Sequence, residues 1–132
     1  MLGRLLPILV MLLPGLAGCS AGRDAAVADV AARFYAAVAH EDGRAACRLL
    51  APQARSELES STGARCEEAV LGEVTGSTSR PTVAVSGSSA RATAGGDTSF
   101  LSEYGADWLV TATGCTPPPT ADGFYECRVQ GG

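Results

Sequence analysis

The 132-residue chain predicts a single α+β domain, with N-terminal helices packed on one face of a curved antiparallel sheet. Three observations carry this expectation. Apolar residues recur at helical spacing from Asp24 to Leu71. After Gly72 the composition shifts to Ser, Thr, Gly and Val, and the apolar period falls to two. Short Gly- and Ser-rich breaks then divide this second half into hairpins, which join antiparallel strands.

The first helix begins near Asp24, where Val27, Val30, Ala31, Phe34 and Val38 form one stripe. Asp24 supplies an acid at its start, and Asp29 with Arg33 makes an i,i+4 pair. The helix ends near His40, ahead of Glu41-Asp42-Gly43. Asp42 caps a second helix with Ala46, Leu49 and Leu50 facing inward. Pro52 opens a third, which carries Leu58 inward and breaks at Ser60-Ser61-Thr62-Gly63. A fourth runs from about Ala64 to Leu71, with Cys66, Ala69 and Val70 on one side and Gly72 as its stop. Thr82–Val85, Ala90–Thr93, Thr98–Tyr104, Trp108–Thr113 and Phe124–Val129 read as the strands. Trp108, Val110 and Ala112 alternate onto one face, with Leu109 and Thr111 on the other. Residues 75–89 read as a loop and an edge strand.

Residues 1–18 read as a targeting segment: Arg4 is a positive start, Leu5–Leu16 an apolar stretch, and Leu16-Ala17-Gly18 a run of small residues. The run from Leu5 to Gly18 is shorter than the roughly 17–25 residues a spanning helix needs, and Pro7 and Pro14 interrupt it. Leu16-Ala17-Gly18-Cys19 resembles the bacterial lipoprotein signal. That resemblance implies cleavage before Cys19 and lipid on its sulfur, with acyl chains such as palmitate anchoring the chain to the outer face of the cell membrane. Residues 19–23 then form the lipidated Cys and a short tether, reaching at most about 14 Å if extended, and 24–132 form the domain.

Composition removes several kinds of chemistry. All ten basic residues are Arg, and Lys and Asn are absent. There is therefore no phosphate-binding lysine, no Schiff base, no Ser/Lys pair and no N-glycosylation acceptor. A formal charge of −4 without a basic cluster argues against nucleic acid. Zinc favours close ligand pairs with two to four residues between them, a spacing that Cys47, Cys66, Cys115, Cys127 and the lone His40 lack. No alternating Asp loop for calcium occurs, and no cofactor is expected.

In an exported chain the four remaining cysteines read as disulfides. Four cysteines allow three pairings. The fold reading favours Cys47–Cys66, on successive helical segments, and Cys115–Cys127, at the final hairpin.

Several local sequences look alike to a known group. Phe34-Tyr35, Asp42-Gly43, Ala46-Cys47-Arg48-Leu49-Leu50-Ala51-Pro52, Cys66-Glu67-Glu68-Ala69, the run Trp108–Pro117 and Tyr125-Glu126-Cys127 together resemble small lipoproteins of high-GC actinobacteria. The resemblance spans the mature chain and implies the cone-shaped, nuclear-transport-factor-2-like α+β fold. It implies an address and a fold, not an activity.

Some cone folds are isomerases or cyclases, whose sites set a carboxylate base beside hydroxyl or carboxyl donors in an apolar cavity. Tyr35 with Asp97 or Glu103 are the candidates here. The ordinary reading makes them solvent-facing residues, since Tyr35 sits one position off the apolar stripe and Asp97 follows two glycines. His40, beside Glu41 and Asp42, reads as a helix-end residue rather than a base. Glu67-Glu68 and Glu57/Glu59 read as solvated helix faces.

The favoured expectation is a non-enzymatic, membrane-tethered extracytoplasmic domain that is structural or binds a protein partner or an apolar ligand. The alternative is a small isomerase- or cyclase-like enzyme. Phe34, Tyr35, Val38, Phe100, Trp108 and Val110, with Val83 and Val85, are the residues expected to line the cavity. A carboxylate beside a tyrosine in that cavity would favour the enzyme.

Overall fold

The computed structural model describes Gly3, the backbone of residues 18–20 and all of residues 21–131. The targeting segment other than Gly3 and Gly18, and the Cys19 side chain expected to carry lipid, lie outside the described residues. Among the described residues four helices precede five strands: α1 Gly18–Ala39, α2 Gly43–Arg48, α3 Pro52–Thr62, α4 Cys66–Glu73, β1 Thr82–Ser86, β2 Ser89–Ala94, β3 Asp97–Tyr104, β4 Asp107–Thr116 and β5 Glu126–Gln130. The strands form one antiparallel sheet in chain order β1-β2-β3-β4-β5. The predicted class, helices followed by an antiparallel sheet, is what the chain adopts.

α1 lies along β1, β2 and β4, while α3 packs on β4 and β5. Its stripe of Val27, Val30, Ala31, Phe34 and Val38 is buried against Ala92, Leu101, Trp108 and Val110. The helix starts earlier than its apolar pattern. Residues 20–23, read as a tether, are helical, and Asp24 is no longer in the first turn. The Asp29–Arg33 pair forms at 3.0 Å.

Two pins set the register of α1 against β3. Near the helix start, Arg23 donates to the Gly87 carbonyl, pairs with Glu103 at 3.3 Å and lies over the Trp108 ring at 5.8 Å. Further along, Tyr35 bonds Asp97. From residue 23 to 35 the helix rises about 18 Å, and from 103 back to 97 the strand spans about 20 Å. The two lengths match, so helix and strand run antiparallel between the same two ends of the sheet.

The Glu41-Asp42-Gly43 turn lets α2 fold back. Asp42 Oδ1 accepts from the Ala45 amide at 3.0 Å, as the capping reading requires. Gly43 sits against α4, where a Cβ would meet the Glu67 carbonyl oxygen at 1.8 Å. Leu50 then bridges in parallel to Val110, through Ala51 N–H to Val110 O and Val110 N–H to Leu49 O. α3 runs through Ser60–Thr62 rather than breaking there. The Ser61 and Thr62 hydroxyls donate back to the Leu58 carbonyl, and Gly63, at φ 70°, ends the helix. α4 starts at Cys66 rather than Ala64. It keeps Gly72 inside its last turn instead of stopping there, with Val74 as the C-cap.

β4 carries the main irregularity. Leu101 pairs with Val110, Phe100 with Ala112 and Thr98 with Cys115, so the register slips on either side of Phe100. Val110 stays on the helix side, but Ala112 joins Phe100 on the opposite face, contrary to the simple Trp108–Val110–Ala112 alternation. Gly114, at φ 65°, adopts a conformation that suits glycine, and an added Cβ there would press on Arg128 and the Glu73 carbonyl. The final strand is shorter than predicted, because Phe124 and Tyr125 belong to the preceding loop.

Candidate functional site: a buried hydroxyl chain ending on Asp97

The Tyr35 side chain is fully buried, although it sits one position off the α1 stripe. Solvent exposure, its expected state, is therefore corrected. A tyrosine can be buried there because its hydroxyl meets partners on the sheet. Tyr35 donates to Asp97 Oδ2 at 2.8 Å, and its oxygen lies 2.6 Å from Ser99 Oγ. Ser99 Oγ is in turn 2.8 Å from Thr113 Oγ1. With the Tyr35 proton committed to the carboxylate, Ser99 donates to Tyr35 and Thr113 donates to Ser99. Three hydroxyls from one helix and two strands thus point one way, toward Asp97.

The bulge makes this possible. Without the slip beside Phe100, alternation would put Ala112 where the Thr113 hydroxyl meets Ser99. Ser99 and Thr113 are both buried, and each has its polar atom bonded, as burial demands.

The electrostatics follow from position. Burial holds the Tyr35 hydroxyl well above the ordinary tyrosine range, and the nearby Asp97 charge adds to this, so it is a neutral donor at physiological pH. Asp97 is half-buried at the head of β3. Desolvation raises its pKa, opposed first by the hydrogen bond from Tyr35 and then by the Gly114 backbone. The arrangement is a donor chain terminating on a carboxylate that retains some contact with solvent.

The cavity-lining residues divide. Phe34, Tyr35, Val38, Trp108 and Val110 fill the core, and Val83 and Val85 pack against it. Phe100 does not join them. It faces the opposite side of the sheet, edge-on to Tyr125 with centroids 5.0 Å apart, and Tyr125 lies 3.5 Å from Arg91 Nη1. Alternation within β3 is the physical reason: Ser99 and Leu101 face the helices, and Phe100 between them pairs with Arg91 on the far side. Phe124, next in the loop, is 90 % exposed. Two grooves, each about 570–580 Å³, lie elsewhere: one between α3 and Leu109, the other between α1 and residues 78–81. Neither is lined by Tyr35 or Asp97.

Glu103 takes part in the Arg23 pin rather than joining Tyr35. His40 is exposed at the end of α1, and its neighbour Asp42 is engaged in the α2 cap. Glu67 and Glu68 lie in the first turn of α4, where they favour the helix dipole and pair with Arg65. Glu59 Oε2 accepts from the Cys66 amide at 3.3 Å. No group of three or more metal-ligating side chains gathers among the described residues.

Both disulfides form as paired in sequence, Cys47–Cys66 between α2 and α4 and Cys115–Cys127 across β4 and β5. Cys115 and Cys127 are directly opposed in the ladder. Ser99 and Thr113 were the residues that sequence reasoning passed over. The signal available was a buried-strand pattern containing hydroxyls, but only the bulge shows that they meet.

Two disulfides place the chain in an oxidising, extracytoplasmic compartment. No helix among the described residues is long and apolar enough to cross a membrane. No family model, curated protein or solved structure matches the chain, which stands on its own residues as a small, disulfide-linked α+β domain.

Proposed function

We propose that the chain is a lipid-anchored extracytoplasmic protein whose domain, of the nuclear-transport-factor-2-like cone type, is a binding or structural module without catalysis. The observation that carries the non-catalytic part is the use already made of the candidate site. Tyr35, Ser99 and Thr113 spend their hydroxyl protons along one chain, and Asp97 receives its end. Such a chain ties α1 to β3 and β4 with no donor left aimed at a substrate. Phe34, Leu101 and Val110 fill the interior, so a partner would meet the outside of the domain rather than enter it.

The lipid anchor is supported by the Leu16-Ala17-Gly18-Cys19 motif and by the two disulfides. Mass analysis of the N-terminal peptide, from protein exported through its own signal in a lipidating bacterium, tests it. A diacylglyceryl Cys19 is expected, absent in Cys19→Ser. An N-terminus elsewhere, or lipid in the Cys19→Ser protein, overturns the anchor.

One observation favours the isomerase- or cyclase-like alternative: a carboxylate of raised pKa beside a neutral tyrosine is the pairing such chemistry uses. Turnover of an enolisable cyclic ketone decides between the readings. The non-catalytic reading expects the same background rate with wild type and Asp97→Asn. Turnover lost in Asp97→Asn, with the fold retained, establishes the enzyme instead.

A further inference from the structure

We propose that the two hairpin turns at residues 86–89 and 105–107 form the surface that rests on the bilayer, with the sheet standing away from it. This rests on the lipid-anchor reading and names the lipid surface as what that end of the domain meets.

The argument starts from Arg23. Its guanidinium donates to the Gly87 carbonyl in the β1–β2 turn, pairs with Glu103 at 3.3 Å and covers Trp108 at the start of β4. One side chain thereby clamps the start of α1 to both hairpin tips. Cys19 lies four residues earlier in the same helix, an axial rise of about 6 Å. The headgroup layer of one leaflet is itself about 5–7 Å thick. A helical connection of that length leaves the clamped hairpins at the headgroups, whereas an extended tether of about 14 Å would let the domain turn freely.

The chemistry of the two ends agrees with this placement. Ser86, Gly87, Ser88, Ser89, Gly105 and Ala106 are small, uncharged and exposed, and the nearby Glu103 is paired with Arg23. Asp24 and Asp107 also lie at this end, so attraction to anionic lipid does not set the orientation; the rigid connection does. The opposite end, about 20 Å away along β3, carries Asp97 and the loop that leaves β4 with Asp122.

The test uses the full chain, lipidated in the producing bacterium and reconstituted in phosphatidylcholine–phosphatidylglycerol vesicles containing a nitroxide-headgroup lipid. Ser88→Cys, Ala106→Cys and Thr120→Cys each receive a maleimide fluorophore; the four domain cysteines are in disulfides and do not react. Quenching at positions 88 and 106 is expected to exceed that at 120 several-fold. Adding Arg23→Ala to each labelled chain is expected to bring the three positions together. Equal quenching at all three positions without Arg23→Ala, or stronger quenching at 120, overturns the orientation while leaving the anchor intact. A chain that does not float with vesicles overturns the anchor and the orientation with it, so the two failures are told apart.

Discussion

Tyr35 and Asp97, separated by 62 residues, meet at 2.8 Å where the second half of α1 crosses the head of β3. The bond does two things at once. It satisfies a buried phenol, and it fixes how far α1 slides along the strand, in concert with Arg23 and Glu103 at the other end.

Tyr35→Phe keeps the ring in its place and removes the hydroxyl. Asp97 then loses its tyrosine donor and Ser99 its acceptor, in surroundings that water reaches poorly. A loss of about 1–3 kcal/mol is expected, from urea unfolding with the disulfides intact. A change within error would mean that the chain of hydroxyls contributes nothing net.

Asp97 also makes stability depend on pH. Its folded pKa is raised above the ordinary 3.8, chiefly by burial, so the folded state holds the proton more readily than the unfolded chain. The contribution is fully present below the unfolded value and is lost as pH rises through the folded one. The urea midpoint of wild type is expected to climb as pH is lowered toward about 4, and Asp97→Asn is expected to flatten this climb. An unchanged slope in Asp97→Asn would assign the dependence to other groups.

Two glycines give opposite signs. Gly43→Ala places a methyl 1.8 Å from the Glu67 carbonyl oxygen, which is backbone and cannot swing away. The α2–α4 contact must open, at a cost of about 1–3 kcal/mol. Gly72, in the last turn of α4, has no atom within 4 Å of an added Cβ. There Ala is expected to stabilise by about 0.4–1 kcal/mol. Thermal unfolding of the two variants side by side checks both signs.

Removing the Cys47–Cys66 bridge as the double Ser variant is expected to cost about 2–4 kcal/mol. The bridge joins α2 to α4, and both cysteines are buried, so two hydroxyls would replace apolar sulfur. Non-reducing peptide mapping of the wild type should recover 47–66 and 115–127 crosslinks. A 47–115 or 47–127 peptide as the main species would refute the pairing.

Local chemistry determined much of this protein from its sequence. The apolar stripe of α1, the Asp42 cap, Pro52 at the first turn of α3 and the turns between strands each depend on residues a few positions apart, and all are found in the structure. The disulfide pairing was legible too, because chain order placed each cysteine beside its partner's element. Tertiary structure decided what alternation and periodicity could not. The slip in β4 opposite Phe100 brought Thr113 to Ser99, and a strand's two-residue period carries no mark of a bulge, whereas the outward turn of Phe100 follows from plain alternation with Ser99 and Leu101. Tyr35 is the clearest case: its position off the stripe argues for solvent, but hydroxyl partners from β3 and β4 made burial favourable, and only the packed sheet brings them there.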